Sequence, residues 1–140
     1  MLHRPAPQFV GRNLNGKAVS LRAYRGKVVL LNFWATWCAP CQQELPRFAA
    51  WQRRYGADGL QVIAVSMDDS VGPVRALVRK LDLDFPVTMG DATLGQRYGR
   101  VLGLPVTFLI ARDGTVADRF EGEGHSAEME KRAKQLLAGR

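Results

Sequence analysis

Sulfur is scarce in this chain, and long apolar runs are missing. Cysteine occurs twice in 140 residues, at Cys38 and Cys41, which is too few for a disulfide scaffold. A bridge over two intervening residues closes a loop too small to restrict the unfolded chain much. Stability is therefore a poor reason for the pair, and its count assigns no redox compartment. No stretch of about eighteen apolar residues occurs, so no membrane-spanning helix is expected. The opening MLHRPAPQF lacks the apolar core of a secretory signal. If Met1 is the native start, the protein is cytoplasmic. If a leader or anchor was trimmed ahead of it, the protein is extracytoplasmic or periplasmic. Histidine also occurs only twice, at His3 and His125, near opposite ends of the chain. Repeats, low-complexity tracts and linkers are absent, so residues 1–140 are expected to form one domain. A basic stripe is missing too. Twenty Lys and Arg against thirteen Asp and Glu give +7, but the cations are scattered and carry no interleaved aromatics, so no nucleic-acid partner is expected.

What is present is the composition of a folded protein, 46% hydrophobic and 24% charged. NLNGK, with Asn15-Gly16 between short apolar runs, signals an N-terminal hairpin. VVLLNFWA is too continuously apolar for a half-exposed strand and predicts a central strand covered on both faces. A helix is expected to start beside Cys38, with Pro40 in its first turn, where a missing N–H costs nothing. Cys41, Leu45, Phe48 and Tyr55 recur near a helical period, Pro46 is expected to kink the helix, and Gly56 to end it. LQVIAVSMD reads as a strand, 71–81 as a helix, FPVTMG as a short strand and ATLGQRYGRVLG as a turn or two of helix. PVTFLIA and TVADRFEG read as strands joined across Asp113-Gly114. Ser126 is expected to cap a last helix running to about Leu137. This order predicts an α/β fold, a mixed sheet sandwiched by helices.

The motif FWATWCAPC carries the chemistry. A CxxC pair can place two thiolates on a metal, or let one thiol attack a disulfide while the other resolves the adduct. A closed zinc site needs about four ligands, and His3 and His125 have no ligand spacing; both are expected at the surface, and no metal is expected. A copper carrier would want a flexible loop, whereas Trp37 and Pro40 stiffen this one. An inert buried pair is the plainer alternative. Redox chemistry fits better, because a helix start offers unpaired N–H donors and partial positive charge to an adjacent thiolate. That assigns Cys38, ahead of the helix and more exposed, as attacking thiolate, and Cys41, within it, as resolving thiol. Lowering a thiol pKa from about 8.5 to about 7 is worth roughly 2 kcal/mol, within reach of a helix end.

FWATWCAPC resembles the active-site segment of thioredoxin-fold thiol-disulfide oxidoreductases of the TlpA/ResA/CcmG-like family. The likeness extends over nearly the whole chain. PQFVGRNLNGKAVSLRAYRGKVVLLNFWATWCAPCQQELP resembles that family's N-terminal hairpin, strand, motif and kinked helix, and GLPVTFLIARDG resembles its cis-proline segment. The resemblance implies a thioredoxin fold with an N-terminal β-hairpin extension. It implies Cys38 and Cys41 as the redox pair, Trp37 and Pro40 shaping their surroundings, Pro105 as a cis-proline facing them, and Leu104 offering backbone to an extended substrate. A trans proline opening a strand is the plainer reading of Pro105. Thioredoxins carry a buried aspartate where this chain has Asn32, whose amide cannot accept the resolving thiol's proton. Glu44, one helical turn after Cys41, is the substitute, as in TlpA-like proteins, with burial expected to raise its pKa. A surface Glu44 paired with Arg47 is the alternative.

The reading is a monomeric protein disulfide reductase without a bound cofactor. Its partners are disulfide-containing protein substrates and an upstream thiol reductant protein, and its place is extracytoplasmic cytochrome c maturation by resemblance. Known CxxC pairs run from about −270 to −120 mV, and Ala39-Pro40 does not place this one, so the reductive direction rests on the resemblance. A CxxC binding module for a soft metal or client peptide, and a peroxiredoxin-like peroxidase, are the rivals; the latter wants a lone peroxidatic cysteine in a Pro- and Thr-containing loop.

Overall fold

The most apolar segment takes the middle of the sheet. In the computed structural model, which describes residues 1–139, Val28–Trp34 is buried at every position. With the short strands Val10–Arg12 (β1) and Ala18–Ser20 (β2) ahead of it, it is β3. The five-stranded sheet has the order β5-β4-β3-β6-β7. Leu60–Ser66 (β4) runs parallel to β3, Val87–Met89 (β5) parallel to β4, Val106–Ile110 (β6) antiparallel to β3, and Val116–Glu121 (β7) antiparallel to β6.

Alternation along β3 feeds two cores. Val28, Leu30 and Trp34 pack with Leu45 and Phe48 of Ala39–Tyr55 (α1), Val74 of Val71–Leu81 (α2), and Met129 and Leu136 of Ser126–Leu137 (α4). Val29, Leu31 and Phe33 face the other way, toward Phe9, Val19 and Tyr98, with Leu94 of Ala92–Arg97 (α3) beside them. The N-terminal segment crosses this second face, bridging Pro5 to Thr115 at one side and Asn13 to Thr88 of β5 at the other. The crossing covers the edge strand β5, which would otherwise present unpaired backbone.

The expected hairpins both form. Asn13 Oδ1 accepts from the N–H groups of Asn15 and Lys17 to close the first, and Gly114, at φ 88°, turns the second. Helix α2 spans 71–81 as the pattern predicts, and α1 ends at Gly56 and continues through Pro46. One expectation is corrected. Ser126 does not cap α4; His125 occupies the cap position without a side-chain cap bond, because the Ser126 hydroxyl is taken by the Arg47 guanidinium from α1. Among the described residues no helix is long and apolar enough to cross a membrane.

Candidate active site

The sheet brings three chain ends together. Register pairs Trp34 with Ser66 and Phe33 with Val106, so β3 and β4 finish where β6 begins. The loop after β3 carries Trp37 and Cys38, and the segment entering β6 carries Leu104 and Pro105. The Leu104–Pro105 peptide is cis, as the resemblance implied.

Cys38 and Cys41 are joined in a disulfide, their Cα atoms 5.3 Å apart. Cys38 sits at the N-cap of α1 in extended conformation, and its Sγ accepts the Cys41 N–H at 3.3 Å. Pro40 falls in the first turn, where no intrahelical donor is lost. The exposure difference expected between the thiols is small in the bonded pair: 6% of Cys38 and 1% of Cys41 are exposed. Trp37 stands out from this buried pair at 71% exposure, whereas Trp34 and Trp51 are core residues.

The loop between β3 and α1 is held by a carboxylate, Asp68, to which the sequence reading gave no role. Asp68 Oδ2 accepts the Thr36 N–H at 3.0 Å and Ser66 Oγ at 2.7 Å, while Oδ1 accepts Thr36 Oγ1 at 2.6 Å. Gln42 Nε2 adds a bond to the Thr36 carbonyl at 2.5 Å. The signal was the Ser-x-Asp run at the end of β4, but its partner Thr36 lies 32 residues earlier. Among the described residues no three His, Cys, Asp or Glu side chains gather as a metal site. His3 is exposed, and half-buried His125 hydrogen-bonds the Glu121 carbonyl through Nε2 at 2.9 Å.

Glu44 is 4% exposed, and neither carboxylate oxygen has a hydrogen-bond partner. The alternative pairing with Arg47 does not form among the described residues: Arg47 turns to Ser126 instead. Burial pushes the Glu44 pKa above its ordinary value; the charges of Arg47 and His125 pull it back, and Glu123 pushes it up again. Asn32 lies on the same face of the sheet, its Nδ2 donating to Thr107 Oγ1 at 2.9 Å and its Oδ1 left without a donor. Helix α1 thus places Cys41 and an unpaired carboxyl one turn apart, against a strand whose amide cannot take a proton.

Comparison with known proteins agrees with this geometry. The AhpC/TSA family matches residues 2–119. Thiol-disulfide oxidoreductase ResA of Bacillus thuringiensis subsp. konkukian is 37% identical over 134 residues, which cover 95% of this chain and 77% of that protein. Thioredoxin-like protein YneN of Bacillus subtilis is 39% identical over 130 residues, covering 91% and 75%. A crystal structure of a DsbE-type thiol:disulfide interchange protein from Chlorobium tepidum superposes with TM-score 0.90 at 32% identity, covering 98% of this chain and 99% of that one. The fold is the thioredoxin fold with an N-terminal hairpin, and the chain belongs to the AhpC/TSA family as one of its thioredoxin-like thiol-disulfide oxidoreductases.

Proposed function

We propose that this enzyme reduces disulfides in protein substrates, with Cys38 as nucleophile and Cys41 as resolving thiol. The observation that carries the reading is the Cys38–Cys41 disulfide at the N-cap of α1, with the Cys41 N–H aimed at Cys38 Sγ. In the reduced protein the same donor and the helix end favour a thiolate at Cys38. That thiolate attacks one sulfur of the substrate disulfide; the substrate S–S bond breaks, and the departing sulfur takes a proton. The Cys41 thiol then gives its proton to the Glu44 carboxylate or to water. Its sulfur attacks Cys38, the mixed disulfide breaks, and the second substrate sulfur leaves as a thiol. The enzyme ends oxidised, two electrons poorer, and a partner thiol protein restores it.

Pro105 and Leu104, opposite the end of β3, are assigned to receive an extended substrate chain, and Trp37 and Pro40 to frame the sulfurs. Residues 1–140 act as one monomeric domain without a bound cofactor. The ResA and DsbE names of the relatives support an extracytoplasmic reductant of the kind that serves cytochrome c maturation.

Insulin reduction with dithiothreitol tests the chemistry. Wild type is expected to catalyse, Cys38→Ser to lose catalysis, and Cys41→Ser to accumulate a mixed disulfide visible by mass spectrometry. Catalysis by Cys38→Ser at the wild-type rate would sink the assignment; absence of catalysis in every form would favour a binding module. Glu44→Gln is expected to slow resolution, and an unchanged pH 5–8 profile would remove Glu44 from the mechanism. A glutathione titration read by Trp37 fluorescence is expected to give a potential nearer about −270 mV than about −120 mV.

A further inference from the structure

Exposed apolar side chains are expected singly on any soluble protein. Here two stand on the segments that meet at the end of β3: Trp37 at 71%, in the loop before Cys38, and Leu102 at 83%, three residues before the cis-proline that leads into β6. Leu102 lines a cleft of about 240 Å³ together with Leu104, Val106, Arg119 and Glu121. Its size suits one side chain of a docked polypeptide.

The charges at this cleft are not equivalent. Arg119 is committed: it pairs with Glu121 at 2.7 Å, donates to the Tyr98 carbonyl at 2.9 Å and lies over the Phe108 ring at 5.1 Å. Arg100, also lining the cleft, is exposed and has no side-chain hydrogen bond or ion pair among the described residues. It follows Gly99, and both residues adopt left-handed backbone, at φ 68° for Arg100 and 76° for Gly99. A non-glycine residue at such a φ is uncommon. The backbone is tied in this form by the N–H groups of Arg100 and Val101, which share the Gly95 carbonyl at 3.0 and 3.1 Å. The cleft therefore combines an apolar lip, a neutralised wall and one uncompensated cation, on a chain of net charge +7.

We infer that the Leu102–Arg100 cleft is a specificity pocket for an acidic segment flanking the disulfide of a protein substrate. The inference rests on the reductase reading and adds to it the chemical class of the client. Leu102 covers an apolar side chain of the docked segment, and Arg100 pairs with a carboxylate next to it. Because that pair is solvent-exposed, its strength is that of an exposed ion pair, a factor of about two to five in discrimination, fading as added salt shortens the Debye length.

The test uses two cyclic peptides, each closed by one disulfide and identical except for the two flanking residues, Leu-Glu in one and Leu-Lys in the other. Pre-reduced protein is mixed with each under single-turnover conditions at low salt, and the reaction is followed by tryptophan fluorescence. Wild type is expected to favour the Leu-Glu peptide about threefold, with the preference shrinking toward one at high salt. R100E is expected to reverse the preference, and R100G, whose backbone suits the left-handed position, to abolish it. L102S is expected to weaken both peptides alike. Because each readout is a ratio within one variant, a general loss of folded protein cannot imitate it. Equal rates for the two peptides in wild type, or a preference that R100E and R100G leave unchanged, overturns the inference while leaving the reductase reading standing. Failure of wild type to react with either peptide or with 2-hydroxyethyl disulfide overturns both. A wild-type dimer by light scattering that L102S dissolves would also overturn the inference, giving the face to a second copy of the chain.

Discussion

The two faces of the sheet treat buried polar groups differently. On the face covered by the N-terminal segment and α3, the Tyr98 ring lies 5.2 Å from Phe108, 5.5 Å from Phe33 and 6.4 Å from Phe9, and its hydroxyl donates to the Pro7 carbonyl at 2.6 Å. Burial raises the phenol pKa, with Arg97 opposing, so the group stays protonated as a donor. On the face covered by α1, α2 and α4 lie all the buried side-chain polar atoms without a partner among the described residues: Asn32 Oδ1, Trp34 Nε1 and both oxygens of Glu44. An unpaired buried polar group costs about 1–3 kcal/mol, and among the described residues that cost falls on the face that also carries the sulfurs. The first face pairs its buried hydroxyl; the second buries a carboxyl with neither oxygen paired.

The comparison breaks most readily at Tyr98. Tyr98→Ala removes a fully buried ring from three aromatic neighbours and is expected to cost about 3–5 kcal/mol in urea unfolding. Tyr98→Phe keeps the rings and strands only the Pro7 carbonyl, an expected cost of about 1 kcal/mol. If the two variants were equally destabilised, packing would not be what this face contributes. Neither substitution touches the helical face, so the rate of a small disulfide with the folded protein should stay near wild type in both.

Asp68 sharpens the contrast from within the helical face, because it is buried there and fully used. Asp68→Ala removes the acceptor of the Thr36 N–H, the Thr36 hydroxyl and the Ser66 hydroxyl. An expected loss of about 1–3 kcal/mol follows, with faster amide exchange at Thr36. Protection at Thr36 equal to wild type would mean that Gln42 alone holds the loop through the Thr36 carbonyl.

These residues also show where sequence reading stops. Val28–Trp34 was legible as a central strand because a strand buried on both faces must be apolar throughout, and 71–81 because a helical period needs no partner to be seen. The CxxC pair and its helix start are local as well. Asp68 was not legible as a loop anchor, and Ser126 was misread as a cap, for one reason: each is decided by a partner far along the chain, Thr36 at 32 residues and Arg47 at 79. A Ser before a helix is a good local cap until a guanidinium from another helix claims its oxygen. The cis peptide at Pro105 came from family resemblance, since spacing alone allowed a trans proline equally well. The burial of Glu44 lay between these cases. Its position one turn after Cys41 was local, but choosing burial over an Arg47 pair required knowing that Arg47 had another partner.

The smallest expected effect has the opposite sign. Folding raises the Glu44 pKa, chiefly through burial, so the folded state binds this proton more tightly than the unfolded one. The resulting stabilisation is fully present below the ordinary carboxylate pKa and is lost as pH rises through the folded value. Once pH passes the folded value, the oxidised wild type carries a buried carboxylate with no hydrogen-bond partner, where Glu44→Gln carries a neutral amide of nearly the same shape. The variant is expected to melt above wild type at pH 8, by less than either substitution above lowers stability, and this advantage should diminish steadily toward pH 4. Thermal unfolding of the oxidised forms across that range checks it. A difference independent of pH would mean that Glu44 does not change charge within the range, and the helical face would then owe its unpaired oxygens to packing alone. A difference that grows with pH, together with slower resolution in the same variant, ties the cost of holding this carboxyl to the proton it accepts.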